Sequence, residues 1–182
     1  EKNILVTFHP VTLEASTSKN QFQELLNSIS ELKDTKIIFT KANSDTDGRI
    51  INSMVDDYTA KHINTIAFAS MGQLNYLSAL QFVDAVVGNS SSGLLETPSF
   101  KIGTIDIGDR QKGRIKADSV ISCLPDKKNI DNALKKIYSR HFQEIVKNVK
   151  NPYGKGGASK IILDIIKDFN LDNIIKKTFY DL

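Results

Sequence analysis

Apolar positions along the chain alternate between two rhythms. Residues 4–8 form a continuous apolar run, as expected of a strand covered on both faces, and His9-Pro10 closes it. Phe22, Leu25, Leu26, Ile29 and Leu32 then recur at helical spacing and predict an amphipathic helix. Residues 36–40 read as a second strand. A polar turn at 43–47 opens a helix whose apolar stripe is Ile50, Ile51, Met54, Val55 and Tyr58. A third strand at 65–69 passes through Ser70, Met71 and Gly72 into a helix carrying Leu74, Leu77 and Leu80. Residues 85–87, 104–107 and 120–124 complete about six strands, and helical patterns follow at 130–139, 142–150 and 159–169. Strands and helices alternating at this spacing predict an α/β fold with a parallel sheet and right-handed crossovers. No internal repeat interrupts the pattern, and the turn-forming stretch 151–157 is the one candidate joint.

Length and composition narrow this picture. A chain of 182 residues can bury a sizeable core as one domain. A net charge of +3 with 25% charged residues is mildly basic and well mixed, with no basic stripe interleaved with aromatics, so nucleic acid is not an expected partner. The single cysteine, Cys123, excludes an internal disulfide and reads as core packing. No apolar run approaches the ~20 residues of a membrane span and no signal peptide is visible, so a cytoplasmic location is expected, with no membrane partner. Three scattered histidines offer no metal spacing. Asn43, Asp45, Asp47 and Gly48 suggest a calcium loop only until position 54, where the required glutamate is Met54. The chain opens without methionine and already inside a strand, which suggests a piece of a longer chain.

The chemistry concentrates between residues 84 and 114. An apolar strand breaks at Gly88 and offers Asn89, Ser90, Ser91, Ser92 and Gly93 before an apolar helical start at Leu94. The first turn of a helix carries unpaired N–H groups and partial positive charge, and hydroxyls add donors, so this hand-over suits an anion. Gly88 and Gly93 let the backbone bend and approach a ligand. A second strand leads into G-D-R-Q-K-G-R at 108–114, a further candidate for phosphate. In a parallel sheet all strand C-terminal ends share one edge, which gathers His9, Asn43, Ser70, Met71, the 90–93 stretch and Arg110 along one cleft. In that cleft Ser90, Ser91 and the N–H groups near Ser92 and Gly93 hold a diphosphate. Glu96 accepts from two ribose hydroxyls, or else is an exposed first-turn glutamate favouring the helix dipole. Arg110 grips phosphate bidentately, or else is a surface arginine. The backbone at residues 70–72 reads a flat base, or is a plain loop. His9 donates to a phosphate oxygen or acts as a general acid, or else only caps its strand.

These motifs also carry a resemblance. G-N-S-S-S-G-L-L-E-T-P-S-F (88–100) followed by I-G-D-R-Q-K-G-R (107–114) closely resembles the hydrolysing UDP-N-acetylglucosamine 2-epimerases. F-H-P-V-T-L-E at 8–14, A-N-S-D-T-D-G-R at 42–49 and N-P-Y-G-K-G-G-A-S at 151–159 agree with it. The resemblance implies a Rossmann-like sheet, the C-terminal half of a two-domain GT-B-type fold, with C-terminal helices over about 158–182. It implies UDP-GlcNAc as substrate with no cofactor or metal. The reaction it implies is C2 proton abstraction, elimination of UDP and hydration to N-acetylmannosamine, a precursor of sialic acid. The carboxylates for those steps belong to an N-terminal domain that this chain lacks and would have as its partner; a homo-oligomer stays open. Arg49 falls where some family members contact a regulatory end product. Two other readings share the sheet: the nucleotide-binding half of a GT-B glycosyltransferase, and a non-catalytic UDP-binding module.

Overall fold

The structure, a computed structural model, describes residues 1–11, 17–43 and 46–172. Parts of the 8–14 and 42–49 motifs, and the end of the expected C-terminal helical tail, lie outside the described residues. Six strands, β1 (Lys2–Thr7), β2 (Thr35–Thr40), β3 (Thr65–Phe68), β4 (Ala85–Gly88), β5 (Gly103–Ile107) and β6 (Val120–Cys123), pair in parallel in the order β3-β2-β1-β4-β5-β6. The expected Rossmann-like parallel sheet is therefore present. Its order reverses between β1 and β4: the chain winds outward from β1 through β2 and β3, then returns to the far side of β1. In open α/β sheets the crevice beyond the strand ends at such a reversal is where ligands bind.

Alternation along each strand divides the core. Ile4, Val6, Ile37, Phe39, Val87, Ile105 and Ile107 face one layer, formed by α1 (Ser18–Ile29), α2 (Thr46–Thr59), α5 (Lys127–Ile137) and α6 (Arg140–Asn148). Leu5 and Val86 face the other, thinner layer with Leu80, Val83 and Ile102, beneath α3 (Gly72–Ala79) and the short α4 (Ser92–Leu95). The predicted α1 stripe is buried at Phe22, Leu25, Leu26 and Ile29. Two stripe assignments fail. Ile50 is 42% exposed, whereas Ile51, Val55 and Tyr58 are buried. Leu74 is 79% exposed because α3 spans only two turns over the thin layer, and Leu80 just beyond it makes the core contact.

Helix starts follow local capping. α5 begins three residues before the predicted 130 because the Asp126 side chain accepts from the Asn129 N–H at 3.0 Å. The Ser139 hydroxyl likewise accepts from the Phe142 N–H and opens α6. The predicted helix after residue 93 is instead the four-residue α4, followed by a 3-10 turn at Thr97–Phe100. Pro98 has no N–H to continue the α-helical ladder, so α4 ends after one turn. The last described helix, α7 (Ala158–Asp168), corresponds to the predicted 159–169 pattern, with its side chains exposed. Among the described residues no helix is long and apolar enough to cross a membrane.

Candidate functional site

The site begins where β1 and β4 part. Their last paired residues are Thr7 and Gly88. Gly88 has φ +139°, and a Cβ there would lie 1.9 Å from the Thr7 carbonyl oxygen, so only glycine lets the strands meet at this point. One residue on, the Asn89 amide takes over the pairing. Its Oδ1 accepts from the His9 N–H and its Nδ2 donates to the His9 carbonyl, both at 2.7 Å. Its own carbonyl accepts from Arg110 Nη1 at 3.1 Å and from Gln111 Nε2 at 2.8 Å.

A cavity of about 570 Å³ opens beyond this junction. Thr7 and His9 line it from β1, and Thr40, Lys41 and Asn43 from the exit of β2. Ser70, Met71, Gly72 and Tyr76 contribute from the exit of β3 and from α3; Ser90, Ser92 and Glu96 contribute from the exit of β4. Of the residues read from the sequence, His9, Asn43, Ser70, Met71, Ser90, Ser92 and Glu96 thus share one wall-to-wall space. Ser91, Gly93 and Arg110 do not line it. Ser91 is the N-cap of α4, its carbonyl accepting from the Leu94 and Leu95 N–H groups. Gly93 is buried for packing rather than for ligand approach: a Cβ there would meet Thr104 Cγ2 at 2.6 Å. Arg110 is exposed, with one guanidinium nitrogen on the Asn89 carbonyl.

The loop that carries Arg110 also departs from the reading of a cationic phosphate loop. Its neighbour Gln111 is buried, and Lys112 pairs with Asp109 at 3.5 Å. Lys116, just past the loop, reaches buried Asp106 and exposed Ser122, each at 2.7 Å. Burial pushes the Asp106 carboxyl above its ordinary pKa, and the Lys116 bond and charge oppose that push. Cys123 behaves as the expected core thiol, pushed up to about 12 chiefly by burial.

Within the cavity the polar groups fall into spent and unspent ones. The Ser90 hydroxyl accepts weakly from the Ser92 N–H at 3.4 Å, and the Ser92 hydroxyl donates to the Tyr76 phenol oxygen at 2.6 Å. The Ser70 hydroxyl accepts from the Gly72 N–H at 3.2 Å. Thr7 and Thr40 hydrogen-bond to each other, and Lys41 is paired with Asp56. By contrast, Oε2 of Glu96 is buried and has no hydrogen-bond partner among the described residues. An unpaired carboxylate oxygen out of water is costly, so it calls for a donor from a ligand or solvent. Glu96 is not the first-turn glutamate of a helix: it is the C-cap of α4 and makes no side-chain cap bond to the following 3-10 turn. The helix-dipole alternative for this residue therefore falls. The same single turn removes the macrodipole argument for anion binding, which passes to individual N–H and hydroxyl donors. Tyr76 stands close enough for the Glu96 charge to add to burial in raising its phenol pKa, with the Ser92 bond opposing both.

The 151–157 stretch is fastened to this turn. Asn151 Nδ2 donates to the Leu95 carbonyl and to the Ser99 hydroxyl, both at 2.7 Å, and the Tyr153 hydroxyl donates to the Ile115 carbonyl at 2.9 Å. The sequence reading gives no individual role to Asn89 or Gln111 and does not single out Tyr76, Lys41, Thr7 or Thr40. Of the last four, only Thr40, the final residue of a predicted strand, carried a usable signal.

The profile of the UDP-N-acetylglucosamine 2-epimerase family matches residues 1–167. A hydrolysing GDP/UDP-N,N'-diacetylbacillosamine 2-epimerase of Campylobacter jejuni is 40% identical over 180 residues, covering 98% of this chain and 46% of that protein. The polysialic acid biosynthesis protein P7 of Escherichia coli is 38% identical over 184 residues, covering 100% of this chain and 47% of that one. Among solved structures, the S. aureus MnaA–UDP co-structure superposes with a TM-score of 0.74 at 20% identity, covering 100% of this chain and 49% of that one. The chain spans about half the length of the relatives it matches.

Proposed function

The chain belongs to the UDP-N-acetylglucosamine 2-epimerase family, and from that premise we propose that it is the UDP-binding half of a cytoplasmic, hydrolysing UDP-sugar 2-epimerase. One observation carries the reading: the cavity at the strand-order reversal brings Ser90, Ser92 and His9 together with a buried, unpaired oxygen of Glu96. Glu96 accepts hydrogen bonds from the ribose hydroxyls. The diphosphate lies against the backbone and hydroxyls of residues 90–92, where the Ser90 and Ser91 N–H groups have no partner among the described residues. Arg110 approaches it from the β5 side, and the backbone at 70–72 reads the uracil edge.

In the reaction a base takes the C2 proton of UDP-GlcNAc and the anomeric C–O bond breaks, its electron pair leaving with UDP. Water then adds across the new double bond to give N-acetylmannosamine. The task of this half is electrostatic. It holds negative charge as it develops on the departing diphosphate, and His9 donates a hydrogen bond or a proton to that group. The base comes from a partner domain across the cavity.

The test is the whole reading frame, expressed and assayed with UDP-GlcNAc and with UDP-N,N'-diacetylbacillosamine in water, without acceptor sugar. Release of UDP and the free 2-epimer is expected from one of them. Turnover only with an added acceptor sugar would make the protein a glycosyltransferase instead. The chain of residues 1–182 alone should bind UDP without turnover, and turnover by it would overturn the division of labour.

A further inference from the structure

Asn89 is 1% exposed and sits where β4 has ceased to be a strand. β1 and β4 must separate there to open the cavity, which strips the His9 backbone of its next ladder partner. The Asn89 side chain supplies one. A primary amide presents a donor and an acceptor side by side, as a peptide group does, and Asn89 spends both on the His9 backbone at 2.7 Å. Its backbone N–H still donates to the Thr7 carbonyl at 3.1 Å, as a continuing strand residue would. Its carbonyl collects Arg110 and Gln111 from the loop after β5. The exits of β1 and β5 therefore converge on one buried residue at the exit of β4, directly preceding Ser90.

Resting on the nucleotide-site reading above, we infer that Asn89 is the positioning residue of that site. It fixes the His9 ring relative to the Ser90 N–H group and docks the Arg110 loop onto the same point. No other residue type reproduces the clip. Aspartate offers acceptors only and would face the His9 carbonyl with a charge, glutamine is one methylene too long, and serine cannot reach both groups.

The experiment is a double-mutant cycle on UDP affinity by calorimetry, using wild type, Asn89→Ser, His9→Ala and the double variant, each checked for folding by circular dichroism. Asn89→Ser should weaken UDP binding about tenfold in the wild-type background, the scale of one or two lost hydrogen bonds, and less than twofold once His9 is alanine. If Asn89→Ser does not fold, Asn89→Gln, which keeps the amide but displaces it, takes its place with the same expectation. A folded variant that binds UDP within twofold of wild type overturns the inference. So does an equal loss in both backgrounds, because a merely structural residue would cost the same with or without His9. Failure of the wild-type chain to bind UDP overturns the site reading together with the inference, whereas wild-type binding with an unaffected variant overturns the inference alone.

Discussion

Glu96→Gln separates a ribose-binding carboxylate from a structural one. Glutamine keeps the volume of Glu96 and leaves the backbone bond from its N–H to the Ser92 carbonyl, 3.0 Å, untouched. The Oε2 atom loses no internal hydrogen bond, because it has no partner among the described residues. The free protein should therefore unfold within about 2–4 °C of wild type, the shift of 1 kcal/mol in a chain of this size. UDP affinity should fall by about 1.5–3 kcal/mol, the worth of hydrogen bonds to a charged group, or roughly 10- to 150-fold. A 2',3'-dideoxy analogue of UDP has no hydroxyls to present and should bind both proteins alike. Calorimetry on the four combinations yields the coupling directly. Equal losses for both nucleotides, or a large drop in thermal stability, would show that the carboxylate supports the turn rather than the ligand.

Three other perturbations follow from the same contacts. Gly93→Ala should destabilise the fold by about 1–3 kcal/mol through overpacking on Thr104 Cγ2. Adding Thr104→Ser should recover most of it in urea unfolding, since serine drops that methyl and keeps the hydroxyl that donates to the Gly93 carbonyl at 2.8 Å. Arg110→Ala should cost about 2–3 kcal/mol in UDP affinity with uridine unaffected, and Arg110→Lys should restore only part of it, because an ammonium cannot make two parallel bonds; equal losses for UDP and uridine would make the arginine structural. For Asp106 the folded-state pKa lies above the unfolded one, so the folded protein holds its proton more tightly and stability falls as pH rises from roughly 4 through the raised value. Lys116→Met removes the group that limits this rise and should cost about 3 kcal/mol at pH 7, part of it regained at pH 5 as the carboxyl protonates; an unfolding deficit equal at both pH values would contradict the pairing argument.

Much of this was legible in the sequence because the period of apolar residues and the strand-end positions are local signals. The strand runs at 4–8, 36–40 and 85–87 differ from β1, β2 and β4 by at most two residues at an end, and the topology then brings His9, Ser70, Ser90 and Glu96 to one edge. The errors arose where the deciding contact is distant in sequence or depends on layer thickness. Leu74 and Ile50 have helical spacing, but spacing does not say whether a layer covers them. Gly93 looks like a ligand-approach glycine until Thr104 is packed against it. The bond from Arg110 to the Asn89 carbonyl, 21 residues away, has no local signal either. Asn89 reads only as one of the small polar residues at the strand-to-helix hand-over, since its partners are 80 and 21 residues away and no local pattern marks them. Pro98 was visible throughout, and its missing N–H already limited the helix that the serines were expected to open.

The central claim is that the cavity at the β1–β4 junction is a UDP site, and a crystal structure of this chain soaked with millimolar UDP tests it most directly. With one wall of the cleft supplied by this chain, affinity should be modest, about −4 to −6 kcal/mol. The expected density places the ribose hydroxyls within hydrogen-bond distance of Glu96 Oε2, the diphosphate on the N–H groups of Ser90 and Ser91, and the uracil against residues 70–72. UDP seated instead in the groove between Lys101 and Gly156, or an empty cavity at saturating nucleotide, would contradict the account.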